Sequence, residues 1–170
     1  MSDPNLAIAI TLTHEGGYQD DPKDRANWSS GKVGVGTLIG TKYGITALDM
    51  PTLSQAQMQA LPQSVAVQFY GQKFWNPFYG AIDNQTIANK LFDMGVLFGV
   101  ETAVKAFQDA LDIKTDGDFG PMTLAAANKA NPTTLLEDFQ TAMRARALRV
   151  IQNNPNDAED LGGWETRIDS

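Results

Sequence analysis

The sequence contains no cysteine and only one histidine, His14. The absence of cysteine excludes disulfide bonds, thiolate nucleophiles and cysteine-ligated zinc. A single imidazole excludes metal motifs that need two histidines, and a Ser-His-Asp triad would have to use His14. The groups left for chemistry are carboxylates, because the chain has 20 Asp and Glu residues against 13 Lys and Arg residues.

The sequence also lacks long hydrophobic runs and an excess of basic residues. No apolar run approaches the roughly 20 residues needed to span a bilayer. The N-terminus has no basic segment, so we expect no secretory signal peptide and synthesis in the cytoplasm. The net charge of −7 argues against nucleic-acid binding and against loose adhesion to anionic polymers. A polyanionic substrate would therefore have to enter a shaped groove.

The 170 residues, of which 42% are hydrophobic, suffice for one globular domain or two small ones. Apolar spacing and capping residues predict helices at about 5–15, 54–61, 62–74, 84–97, 101–111, 121–129 and 132–152. Between them, residues 18–46 are rich in Gly, Asp and Ser, with a β-like alternation from Lys32 to Gly36. We predict a mainly α fold with a long functional loop that carries a small β hairpin.

The last long helix has an apolar stripe, and the polar tail after it carries three apolar side chains. The predicted stripe consists of Leu135, Leu136, Phe139, Met143, Leu148 and Ile151. The tail residues Leu161, Trp164 and Ile168 are expected to dock the C-terminus onto the fold.

Glu15 ends the first predicted helix and precedes Gly16 and Gly17. The C-terminal end of a helix carries partial negative charge, which disfavours a second negative charge beside it. A carboxyl group held there should tend to keep its proton, and glycosidic cleavage needs a proton donor for the departing oxygen. The two glycines would let a bulky sugar approach. The alternative is an ordinary solvated glutamate at a helix end.

Four segments together resemble the glycoside hydrolase family 108 N-acetylmuramidases, whose members include phage endolysins and secretion-associated wall-cutting enzymes. These segments are HEGGYQDDPKDRANW, GTKYGIT, YGQKFWNPF and KLFDMGVLFG, and they occur in the family's order. The resemblance implies a lysozyme-like helical fold, no metal and no organic cofactor. By this resemblance, Glu15 corresponds to the family's catalytic acid and Tyr18 to the tyrosine of its E-G-G-Y motif. The segment from Tyr43 through Gly44 to Thr46 corresponds to the family segment that faces the acid across the cleft.

Three residues are candidates for the second catalytic group. Asp24, nine residues after Glu15, is the first choice by analogy with other lysozyme-like enzymes, and Thr41 could position the attacking water. Asp93 is the third candidate, although it is also typical of a buried structural acceptor. An Asp in a turn such as DDP commonly caps backbone amides, which is the alternative for Asp24.

Several aromatic residues are candidates for contact with sugar rings. Trp28 lies in a polar loop, which favours a surface role, and Tyr18 and Tyr43 belong to the motif. Trp75, Phe78 and Tyr79 are further candidates, although Trp75 and Phe78 are also typical of core residues.

The C-terminal third resembles a second kind of module. TDGDFGPMTLAAAN at 115–128 is similar to the D-G-x-x-G-x-x-T corner of peptidoglycan-binding modules. We predict a lysozyme-like catalytic domain at 1–98 and a helical peptidoglycan-binding-like subdomain at 99–170, which either binds the wall or only stabilises the fold.

The predicted function is an endolysin-like N-acetylmuramidase, a monomer that cleaves the β-1,4 bond between N-acetylmuramic acid and N-acetylglucosamine in the periplasmic wall after release from the cytoplasm. Its partner is the peptidoglycan glycan strand, with no nucleic acid and no membrane segment. The alternatives are a lytic transglycosylase, or a non-catalytic peptidoglycan-binding protein of a secretion or phage apparatus.

Overall fold

The computed structural model describes residues 1–154, 158 and 160–170, and within them the chain is mainly helical, as predicted. The α-helices are α1 (Pro4–His14), α2 (Gln55–Gln59), α3 (Gln63–Phe74), α4 (Gln85–Phe98), α5 (Val100–Ala110), α6 (Pro121–Lys129), α7 (Pro132–Asn153) and α8 (Leu161–Asp169). Short 3-10 helices cover Arg25–Asn27 and Pro77–Ala81. Part of the predicted polar tail, at 155–157 and 159, lies outside the described residues.

Helix starts follow the capping residues in the sequence. Ser54 caps α2 and forms a reciprocal capping box with Gln57. Asn84 caps α4 through the backbone amide of Ile87, and Asn131 caps α7, which has Pro132 in its first turn. These local hydrogen bonds explain why the predicted and observed helix starts agree closely.

The chain packs into two compact units. The first unit consists of Met1–Ile10 and Lys73–Ser170, and the second consists of Thr11–Gln72. In the first unit, α4 and α5 pack together, and α7 packs against α4, α5 and α8 around a hydrophobic core. The boundary between residues 98 and 99 stays a prediction.

The apolar face of α7 is only partly the predicted one. Leu135, Phe139 and Met143 are buried as expected, but Leu148 is 48% exposed, so its assignment to the stripe is wrong. Ala147 is buried instead. The buried positions recur every four residues and form one row along the helix, and the residue after Ala147 points about 100° away from that row.

The C-terminal helix α8 packs against α7 within the first unit, as predicted from its apolar residues. Ile168 is fully buried, and the Trp164 ring lies 5.5 Å from the Phe98 ring. Arg167 donates hydrogen bonds to both carboxylate oxygens of Asp93, and the two side chains form a buried ion pair. Burial lowers the pKa of neighbouring Lys90, and the Asp93 carboxylate opposes that shift.

In the second unit, β bridges form outside the segment where the sequence predicted a hairpin. Residues Lys32 to Gly36 form turns and bends, so the hairpin expected there is wrong. Gly34 and Gly36 have φ values of 74° and 80°, which interrupt an extended backbone, and Val33 and Val35 are about half exposed. Isolated antiparallel bridges instead join Gln19 to Thr41, Trp28 to Leu38 and Lys42 to Ile45.

Within the described part of the chain, no helix combines the length and apolarity that membrane crossing requires.

Candidate active site

Glu15 directly follows the last residue of α1 and is partly buried. Its carboxylate lies against the backbone of Gly44 in the same unit. A Cβ atom placed on Gly44 would be 2.5 Å from Glu15 Oε2, far inside van der Waals contact. The helix end expected from the sequence therefore presents this carboxylate to the TKYGIT segment.

That segment is a tight two-residue turn. Lys42 and Ile45 exchange two backbone hydrogen bonds, with lengths of 3.1 Å and 2.9 Å. The two central residues, Tyr43 and Gly44, have φ values of 52° and 70°. Positive φ at both central positions is the geometry of a type I′ turn, which favours glycine at the second position. A side chain at Gly44 would also collide with Glu15, so glycine is required there for two reasons.

Tyr70 of α3 holds this turn in place. It is 2% exposed, and its hydroxyl donates a 2.8 Å hydrogen bond to the Tyr43 carbonyl. A Cβ atom at Gly44 would lie only 2.3 Å from the same hydroxyl. The Tyr43 amide donates to the Gly16 carbonyl at 3.1 Å, which ties the turn to the residue after Glu15. Glu15, the turn and Tyr70 thus form one connected cluster.

A second polar network centres on Asn27, which is fully buried. Its amide group donates to Gln19 Oε1 at 2.7 Å and to the Asp21 carbonyl at 3.0 Å. Its Oδ1 accepts a 2.7 Å hydrogen bond from the Thr41 hydroxyl. Gln19 and Thr41 also exchange two backbone hydrogen bonds. Asn27 therefore joins the two sides of the loop that follows Glu15.

Asp24 and Thr41, the candidate helper residues, both take part in this network. Asp24 Oδ1 accepts from the Ala26 amide at 2.9 Å and caps the 3-10 helix, and Oδ2 accepts from Gln19 Nε2 at 3.1 Å. The Thr41 hydroxyl donates its one hydrogen to Asn27, so it can only accept a hydrogen bond from a water molecule. Each residue has a structural role, and its catalytic assignment stays a prediction.

Tyr18 packs closely on the loop backbone at Gly40. A Cβ atom on Gly40, whose φ is 92°, would lie 2.6 Å from the Tyr18 ring. The Tyr18 hydroxyl donates weakly to Asp20 at 3.4 Å and to the Ile39 carbonyl at 3.3 Å. Burial is the main cause that raises the pKa of Tyr18, so the hydroxyl remains a donor at neutral pH.

The other predicted substrate contacts differ in their surroundings. The Trp28 ring is partly exposed, and its indole nitrogen donates to the Pro22 carbonyl at 2.9 Å. The Thr46 hydroxyl donates to Asp49 at 2.9 Å. Trp75 belongs to the first unit, where its ring lies 5.6 Å from the Tyr79 ring and 5.7 Å from the Phe92 ring. That packing is typical of a core residue.

Asp93, the third candidate for the second catalytic group, also belongs to the first unit. It is 3% exposed, and its carboxylate accepts the hydrogen bonds of Arg167. These contacts support the other interpretation of Asp93, as a buried acceptor of hydrogen bonds with a structural role.

Sequence reasoning assigned no role to Tyr70 or Asn27. Tyr70 follows the buried Ala66 by one helical turn, so apolar spacing marks it as a core residue but does not reveal its contact with the turn. Asn27 looks like an ordinary loop asparagine, and no local pattern distinguishes it. Among the residues that the structure describes, no cluster of His, Asp and Glu side chains could hold a metal ion.

Comparison with known proteins covers nearly the whole chain. Residues 8–99 match the family described as glycosyl hydrolase 108, and residues 102–169 match one described as a predicted peptidoglycan domain. The solved structure of Brucella abortus SagA is similar over 98% of this chain and 89% of that chain, with 25% sequence identity and a TM-score of 0.71. No curated protein sequence matches the chain significantly.

Proposed function

Because the chain belongs to the glycosyl hydrolase 108 family and is a peptidoglycan hydrolase, we propose that it is an N-acetylmuramidase with Glu15 as its general acid. The bond cleaved is the β-1,4 linkage between N-acetylmuramic acid and N-acetylglucosamine. The enzyme acts as a monomer on the periplasmic wall after release from the cytoplasm.

The observation that carries the proposal is the close approach of Glu15 to the Tyr43–Gly44 turn. Gly44 lies directly against Oε2, so the backbone of the turn limits where the carboxylate can move. A general acid must be held near the atom that it protonates, and a misplacement of about 1 Å can cost roughly 100-fold in rate. The rigid I′ turn and buried Tyr70 provide such positioning.

In the proposed reaction, Glu15 donates its proton to the oxygen that leaves with the departing sugar. Positive charge develops on the other sugar ring as the bond breaks, and a second group must stabilise it or activate water. Asp24 is the proposed second group, and Thr41 is the alternative that orients the water. Tyr18, Trp28 and Tyr43 are the proposed contacts with the sugar rings. Gly44 and Thr46, in the same segment as Tyr43, are further proposed substrate-binding positions.

The test compares Glu15→Gln with the wild-type protein in a turbidity assay on purified sacculi. Glutamine keeps the size of the side chain but cannot donate an acidic proton, so we expect lysis to slow at least about 100-fold. The matched control is Glu137→Gln, which makes the same chemical change at an exposed site on α7. Lysis by Glu15→Gln at the rate of this control would refute the acid assignment.

Mass spectrometry of the released muropeptides tests the reaction type. Hydrolysis adds water and leaves reducing N-acetylmuramic acid ends, which is the expected result. Anhydromuramic ends would show that an internal hydroxyl replaces water, so the protein would be a lytic transglycosylase. Binding to sacculi without lysis by the wild-type protein would overturn the catalytic proposal and favour a binding protein.

A further inference from the structure

The short helix α2 belongs to the same compact unit as Glu15, and side-chain contacts link its two ends to Tyr18 and Tyr43. The helix is firmly anchored for its length. Met58 is fully buried, and the reciprocal capping box of Ser54 and Gln57 fixes its first turn. A helix held in this way is a stable support for the side chains that lie beside it.

At the first residue of α2, the Gln55 side chain reaches the loop that follows Glu15. Gln55 Nε2 donates a 2.7 Å hydrogen bond to Asp20 Oδ2, and the same oxygen accepts the weak 3.4 Å hydrogen bond of the Tyr18 hydroxyl. Burial raises the pKa of Tyr18, and a hydrogen bond from Gln55 opposes that rise, so Gln55 acts on the phenol group itself. The Tyr18 ring is thus held between the backbone of Gly40 and the polar pair of Gln55 and Asp20.

At the last residue of α2, the Gln59 carbonyl accepts a 2.7 Å hydrogen bond from Lys42 Nζ. The final carbonyls of a helix have no partner inside the helix, so the ammonium group satisfies one of them. The same ammonium lies 5.1 Å from the centre of the Tyr43 ring, within the range of a cation–π contact. The turn fixes the backbone of Tyr43, and the contact with Lys42 restricts the orientation of its ring.

We propose that Gln55 and Lys42 are positioning residues, which use α2 as a common support to hold the Tyr18 and Tyr43 rings against the sugar strand. The inference rests on the proposed function, in which these two tyrosines contact sugar rings. Gln55 and Lys42 act through the tyrosines and do not touch the substrate. Sugar contacts of this kind bind the ground state and the transition state about equally, so loosening them raises KM and leaves kcat nearly unchanged.

The experiment measures kcat and KM of full-length variants on soluble, uncross-linked glycan strands and follows strand cleavage by chromatography. Gln55→Ala and Lys42→Met should each raise KM about fivefold, which corresponds to about 1 kcal/mol of binding free energy, and should leave kcat within about twofold of the wild-type value. Lys42→Arg keeps a cation that can donate hydrogen bonds and stack on an aromatic ring, so its KM should stay near the wild-type value.

Each substitution has a matched control in the same unit. Gln63→Ala makes the change of Gln55→Ala at the exposed first residue of α3, and Lys32→Met makes the change of Lys42→Met at an exposed loop position. Both controls should keep the wild-type kcat and KM. Rates are compared at a temperature where thermal unfolding shows that every variant is folded.

Double variants show whether the two residues act through the tyrosines. Lys42→Met should raise KM no further in a Tyr43→Leu background, and Gln55→Ala should raise it no further in a Tyr18→Phe background. Additive effects on KM would overturn the proposal, because they would mean that Lys42 or Gln55 contacts the substrate itself. An unchanged KM in either single variant, a loss that falls on kcat, or a KM for Lys42→Arg as high as that for Lys42→Met would also overturn it. Failure of the acid assignment appears separately, as undiminished lysis of sacculi by Glu15→Gln, a variant that these measurements do not use.

Discussion

Replacement of Gly44 by alanine probes the contact on which the active-site proposal depends. The added Cβ atom would lie 2.5 Å from Glu15 Oε2 and 2.3 Å from the Tyr70 hydroxyl. Ordinary contact distances are near 3.5 Å, so one or both groups must move by about 1 Å. A displacement of that size is expected to reduce the rate roughly 100-fold.

The same substitution should also destabilise the protein. Gly44 has a φ of 70°, and an L-residue in this region costs about 1 kcal/mol. Overpacking against two buried or partly buried groups adds roughly 1–3 kcal/mol. For a chain of this size, a total near 3 kcal/mol lowers Tm by about 6–12 °C.

Gly34→Ala is the matched control for Gly44→Ala. Gly34 has a nearly identical φ of 74°, but no atom lies within 4 Å of its Cβ position. It should lose only the backbone cost of about 1 kcal/mol and keep wild-type activity. Both variants are compared by thermal unfolding and by initial rates of sacculus lysis at a temperature where each is folded. If Gly44→Ala matches Gly34→Ala in both measurements, the reasoning about Glu15 is refuted.

Three further experiments test other buried polar groups. Tyr70→Phe removes the hydroxyl that holds the turn and should lower kcat more than it changes KM, whereas Tyr79→Phe removes a buried hydroxyl without a partner among the described residues and should leave both constants unchanged. Equal kinetics in the two variants would contradict the positioning role. Asn27→Ala breaks three side-chain hydrogen bonds and should cost about 3 kcal/mol of unfolding free energy in urea; a loss well below 1 kcal/mol would show that the network is dispensable. Arg167→Met removes the ion-pair partner of the buried Asp93 carboxylate and should cost about 3 kcal/mol of unfolding free energy. An added Asp93→Leu change should restore much of that loss, and a double variant as unstable as Arg167→Met would contradict this reasoning.

The sequence determined most of the helical architecture. Capping residues such as Ser54 and Asn131 and the spacing of Leu135, Phe139 and Met143 act over one or two helical turns, so their effect can be read locally. Glu15 at the end of a helix followed by two glycines is a local feature of the same kind. The positions of the β bridges could not be predicted from the sequence. Val33 and Val35 alternate with glycines as in a strand, but those glycines adopt positive φ and the two valine side chains are about half exposed.

Only the tertiary structure decided which distant groups meet. Tyr70 contacts a turn 27 residues earlier, and Arg167 pairs with a carboxylate 74 residues earlier. Such contacts follow from the path of the whole chain, and residue type and spacing constrain only neighbours along a helix or turn.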